Sequence, residues 1–208
     1  MADPIYTTLE KEGRAEYTVE RSVFIGSAIR VTNESDAVEY IKKIRKEFSD
    51  ARHNVYAYLI KDTNVTRYSD DGEPQGTAGL PVLDYLRKSG VSDVCVVVTR
   101  YFGGILLGKG GLVRAYTECA KRAAEAAGIV SLVKYTEFKV GVPYPLLEKL
   151  RYELSFLGVV EDGADYGNGV TLRLAVKEDG YGEVSKKISE LTSGGCAPVV
   201  TGSRYDKI

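Results

Sequence analysis

Apolar positions in this chain change period several times, and each change predicts an element. Ala37, Tyr40, Ile41, Ile44 and Phe48 recur at helical spacing, so Glu34–Phe48 predicts a helix capped by Asn33 or Ser35. Tyr17, Val19, Val23, Ile25 and Ala28 lie among charged residues and predict one long or bent strand over Glu16–Val31. His53–Ile60 predicts a second strand. Val94-Cys95-Val96-Val97-Val98 is apolar without alternation, which predicts a strand over Asp93–Thr99 buried on both faces. Leu112, Ala115, Tyr116, Cys119, Ala123 and Ala126 form one stripe of a helix running to about Ala127. Gly128 supplies its stop.

Between these segments lie two glycine-rich stretches. Asp70–Gly79 is predicted as a loop by Gly72, Pro74, Gly76 and Gly79, followed by a short helix over Pro81–Lys88. The second stretch runs from Thr99 through Gly103-Gly104 and Gly108-Lys109-Gly110-Gly111 to Tyr116. Glycine clusters mark positive φ or close backbone approach. These two also carry charge, which predicts a binding surface.

The remainder reads as strand Tyr135–Val142, helix Pro145–Leu157, strand Val159–Tyr166, strand Val170–Val176, helix Tyr181–Leu191 and strand Ala197–Arg204. Gly167-Asn168-Gly169 marks a hairpin between the middle strands. The order βαββαβ is the ferredoxin-like split arrangement. Two domains are expected, 1–134 and 135–208, in an α+β chain.

Composition narrows the partners. The net charge of −1 excludes a uniformly basic nucleic-acid binder, so any such role rests on local charge. Residues 1–134 hold 19 Lys and Arg against 18 Asp and Glu, whereas residues 135–208 hold 9 against 11. The three cysteines are widely spaced on apolar stretches and form neither a zinc pattern nor a disulfide framework. The single His53 excludes a multi-histidine metal site, and no cofactor is expected. Met1–Tyr6 lacks a signal-peptide pattern and no apolar run approaches a membrane span, so a cytoplasmic protein is expected.

The second glycine stretch nearly matches a P-loop. Gly103 and Gly108-Lys109 have the right spacing, but glycine at position 110 removes the hydroxyl that would hold magnesium. What remains is an anion site: Lys109-Gly110-Gly111 opens a helix whose free N–H groups favour negative charge. Arg100, Lys109, Arg114, Lys121 and Arg122 face one acid, Glu118, within residues 98–122. Arg67, Arg100, Tyr101, Lys109, Gly110, Gly111 and Arg114 are therefore the candidate nucleic-acid or anion-binding residues. Tyr101, Phe102 and Tyr116 can stack on bases. Asp70, Asp71 and Glu73, with His53, form a candidate acidic or metal-assisting group. The same acids can instead serve turn chemistry or pair with Arg67 or Arg100.

Four segments resemble the YigZ/IMPACT family: Arg21-Ser22-Val23-Phe24-Ile25-Gly26, His53-Asn54-Val55-Tyr56-Ala57-Tyr58, the Asp70-Asp71-Gly72-Glu73-Pro74 stretch through Pro81, and Arg100-Tyr101-Phe102-Gly103-Gly104 through Tyr116. The resemblance covers about residues 15–130; residues 135–208 look like the small C-terminal domain of the bacterial members. It implies an N-terminal fold like the second domain of ribosomal small-subunit protein five and a C-terminal fold like those ending elongation factor G. It also implies a role as an RNA- or ribosome-binding regulator of translation. Where family members often have Cys two residues after the motif histidine, this chain has Val55, which weakens a Cys–His reaction. Two other functions stay open: a magnesium-dependent enzyme acting on a phosphorylated small molecule or nucleotide, and an interaction module. The enzyme requires both loops to face one cleft. The interaction module would bind a protein partner through the C-terminal domain's open sheet, using Tyr135, Phe138 and Tyr144; core packing is the plainer role for these three aromatics.

Overall fold

A computed structural model describes residues 6–207. The N-terminal reading of Met1–Ile5 thus lies outside the described residues. The chain divides into two compact units, one over Tyr6–Ser131 and the other from Leu132 onward.

In the first unit, β1 (Tyr6–Leu9) precedes the hairpin β2 (Gly13–Val19) and β3 (Ser22–Arg30). Helix α1 (Glu34–Glu47) leads into β4 (His53–Ile60) and β5 (Val65–Ser69). Helix α2 (Gly79–Lys88), β6 (Val94–Tyr101) and α3 (Gly108–Ala127) complete it. The sheet order is β2-β3-β6-β4-β5, and every pairing along it is antiparallel.

Central β6 explains the unalternating apolar run. Val94, Val96 and Val98 face α2 and α3, where they join Leu83, Leu86, Tyr116 and Ala120 in one core. Cys95 and Val97 face the opposite way, into a core with Ala37, Tyr40, Ile41 and Ile44 of α1. All five are fully buried, so the strand is sandwiched between two helical layers. Burial of this kind stabilises by about 1.5–3 kcal/mol per large aliphatic side chain. Asn33 is the cap of α1: its side chain accepts from the Asp36 N–H at 2.9 Å.

The expected single strand over Glu16–Val31 is two strands. Glu20 (φ 43°) and Arg21 (φ 63°) turn the chain back in the left-handed region. Such turns normally use Asn or Gly, so Glu-Arg carried no turn signal. Strand β5 also lacked a signal, being a short, half-polar edge strand paired to β4 alone.

β7 (Ile129–Val142) begins at the end of the first unit and, with α4 (Tyr144–Ser155), β8 (Val160–Tyr166), β9 (Val170–Lys177), α5 (Tyr181–Leu191) and β10 (Val199–Lys207) of the second, follows the expected βαββαβ order. β10 pairs with β7, β7 with β9, and β9 with β8, all antiparallel, which is the ferredoxin-like arrangement. The α+β fold expected from the sequence is therefore the one observed. Phe138 is buried in the core against Tyr181 and does not lie on the open sheet face, so it follows the core-packing alternative. Tyr144 sits on α4, half exposed, donating to the Gly167 carbonyl. Among the described residues no helix is long and apolar enough to cross a membrane.

Candidate functional site

The site grows from strand register. His53 of β4 and Phe24 of β3 both lie opposite Arg100 of β6. The two-residue period therefore places all three side chains on the α2/α3 face, continuing the rows Val55-Ala57 and Val98-Val96. A buried row that ends in a charge needs a partner, and the loop after β5 supplies one. Glu73 reaches under the sheet end, where its Oε1 accepts from Arg100 Nη1 at 2.7 Å and from the Tyr116 hydroxyl at 2.8 Å.

The two acids before Gly72 hold this loop in shape. Asp70 accepts the N–H groups of Gly76, Ala78 and Gly79 at 2.9, 3.1 and 2.8 Å, which satisfies the open start of α2. Asp71 accepts the Asn54 N–H at 2.6 Å and pairs with Arg45 at 2.7 Å. The Asp71 carbonyl lies 2.7 Å from His53 Nδ1. A carbonyl only accepts, so Nδ1 carries the proton and Nε2 is left 3.9 Å from Glu73 Oε1. Gly72 (φ 87°) lets the backbone pass close to the imidazole, and a Cβ there would sit 3.4 Å from Nδ1.

The other wall is the loop between β6 and α3. Gly103 is pressed against the β2–β3 turn, where a Cβ would come within 2.0 Å of the Arg21 carbonyl carbon. Its N–H donates to Ser22 Oγ at 3.2 Å. From this anchor the loop carries Phe102, Ile105 and Leu106 into solvent, Leu106 being 87% exposed. Helix α3 then opens at Gly108-Lys109 with no acidic residue and no side-chain cap in its first turn.

The two loops close on one cavity of about 400 Å³. Its polar wall is Arg52, His53, Glu73, Arg100 and Lys109; its apolar wall is Phe102, Leu106, Leu107 and Leu112. Arg100 is 5% exposed and its Nε has no hydrogen-bond partner, while its guanidinium lies 5.5 Å from the Phe102 ring centre.

Several candidate residues take other places. Arg100 lines the cavity, yet its charge is committed to Glu73, so it is not an open phosphate contact. The Tyr101 hydroxyl donates to Asp50 at 2.7 Å. Arg67 lies near Glu34, 3.7 Å away, and lines no part of the cavity. Tyr116 is fully buried and unable to stack on a base; burial and Glu73 push its hydroxyl pKa up. Arg114, Gly110 and Gly111 lie on the first turns of α3 outside the cavity lining. Asp70 and Asp71 are taken up by backbone N–H groups and Arg45, and among the described residues no group of three or more His, Cys, Asp or Glu side chains is arranged to hold a metal ion. Arg52 was missed from the sequence, where a single arginine ahead of a strand carries no signal.

Residues 20–124 match the Impact N-terminal domain, and residues 140–194 match a domain of unknown function, DUF1949. The chain is 37% identical over 190 residues to the IMPACT family member YvyE of Bacillus subtilis, covering 91% of this chain and 88% of the other. The chain belongs to the IMPACT family. Its likeness to the Escherichia coli member YigZ is 34% over 179 residues, covering 85% of this chain and 88% of YigZ. Protein IMPACT of Danio rerio is 37% identical over 97 residues, 44% of this chain and 30% of that protein. A crystal structure of a hypothetical protein superposes with a TM-score of 0.61 at 29% identity, over 97% of this chain and 98% of the other. The cavity of this IMPACT chain lies within the matched N-terminal domain.

Proposed function

We propose that this IMPACT-family chain binds RNA through its N-terminal domain and acts in translation as a regulator associated with RNA or the ribosome. The observation that carries the reading is the single cavity on which both loops close. It sets the cations of Arg52 and Lys109, and the start of α3, against an apolar wall headed by Phe102. Cations and helix N–H groups hold phosphate, and an aromatic face holds an unpaired base. The residues assigned to binding are therefore Arg52, Lys109 and Phe102, with Arg100 and Glu73 holding the floor.

The test is single-stranded RNA binding over a salt series, with the intact chain compared with Arg52→Ala/Lys109→Ala. Loss of two phosphate contacts should flatten the slope of log K against log salt by about 0.7 per contact. Equal slopes would remove the cavity from the account. The magnesium-enzyme reading keeps one of its requirements, since both loops face one cleft. Of its three carboxylates, only Glu73 lines that cleft.

A further inference from the structure

We propose that the cavity receives one unpaired ribonucleotide and reads its 2′-hydroxyl through His53, so that this chain distinguishes RNA from DNA. The inference rests on the nucleic-acid reading above and adds the sugar that the site selects.

Three observations carry it. The cavity holds about 400 Å³, near the small end of ligand pockets, which suits one splayed-out nucleotide and excludes a duplex. Its two walls have different chemistry: Phe102, Leu106 and Leu107 offer a face to a base, while Lys109 and Arg52 offer charge to a phosphate. The third observation concerns what faces the middle. His53 has its Nδ1 proton held by the Asp71 carbonyl, so the neutral form of the ring presents a lone pair at Nε2. The neighbouring Glu73 carboxylate receives both of its hydrogen bonds on Oε1, and the Arg100 guanidinium offsets its charge. The floor of the cavity is thus acceptor-rich without being a bare negative charge. It suits a ligand that is anionic at one end and presents a neutral O–H donor in the middle. A ribose 2′-hydroxyl is that donor, and deoxyribose lacks it.

The experiment uses the full-length chain and three single strands of one sequence: RNA, DNA and 2′-O-methyl RNA. Their affinities are measured alongside those of a ribonucleoside monophosphate and its deoxy counterpart. The proposal expects RNA to bind about three- to tenfold more tightly than DNA, the worth of one hydrogen bond. The 2′-O-methyl strand, which keeps the oxygen and loses the donor, should bind like DNA. His53→Phe should lower RNA affinity to the wild-type DNA level, whereas His53→Gln, which retains an acceptor, should keep part of the preference. If the preference appears with strands and not with free monophosphates, the site reads a nucleotide within a chain; if with both, free ribonucleotides are ligands too. Equal RNA and DNA affinity overturns the sugar reading and leaves RNA binding standing, as does a preference that survives His53→Phe. Absence of binding to every strand overturns both.

Discussion

Arg100 Nη1 lies 2.7 Å from Glu73 Oε1, with the two side chains 7% and 4% exposed, so a strand end and a loop far apart in sequence are joined by a buried ion pair. Removing one partner leaves the other charge buried and unpaired. Arg100→Ala should therefore destabilise the chain by about 3–5 kcal/mol, read from urea unfolding. Lys109→Ala, at an exposed position, should change stability by less than about 0.5 kcal/mol. A loss of RNA binding in Arg100→Ala would then report a damaged floor, and only the Lys109 variant isolates phosphate contact.

Asp70 collects three backbone N–H groups ahead of and at the start of α2. Asp70→Ala should cost about 2 kcal/mol, the upper end for a lost helix cap. Because the carboxylate is spent on the backbone, magnesium or a chelator should leave the melting temperature of the intact chain unchanged. A magnesium-dependent rise in melting temperature that Asp70→Ala abolishes would return this loop to metal chemistry.

Alkaline pH should weaken the first unit. Tyr6 donates to Asp93, and burial together with that bond pushes its pKa up to about 12. Burial also raises Tyr40, Tyr58 and Tyr116. The folded state therefore keeps phenol protons that the unfolded chain releases from about pH 10. With more protons bound in the native state, stability falls as pH rises. These groups contribute fully below pH 10, and their contribution declines progressively above it, so the urea midpoint should drop between pH 10 and 12. A midpoint constant over that window would contradict the buried hydroxyls.

The thiols should separate by reactivity. Cys95 and Cys119 are buried, and burial raises both pKa values, that of Cys119 to about 12. Cys196 is only half buried. A thiol-specific disulfide reagent at pH 8 should modify Cys196 rapidly in the folded chain and the other two only after unfolding. Fast modification of all three would show that the α1 and α3 cores both open.

Most of the architecture was legible in periodicity. The apolar run of β6, the Ala-rich stripe of α3 and the hairpin at Gly167-Asn168-Gly169 each led to the element observed. The hairpin at Glu20-Arg21 was not legible, because its left-handed residues are not those that favour that conformation. The site was half legible. Glycine and charge marked the two loops, and the family resemblance marked the same residues. The sequence pattern left open which charges were free and which were paired. That depends on register: only the alignment of His53 and Phe24 with Arg100 reveals that the arginine points inward to meet Glu73. Arg52 enters the cavity by the same geometry, without a motif of its own.

The most direct test of the central claim is to photocross-link a single-stranded RNA carrying 4-thiouridine to the full-length chain and map the adducts by mass spectrometry. Adducts on Phe102 and on peptides spanning residues 52–53 and 102–109, lost on competition with unlabelled RNA, are the predicted result. Adducts confined to residues 135–207, or none above a non-binding control protein, would contradict it.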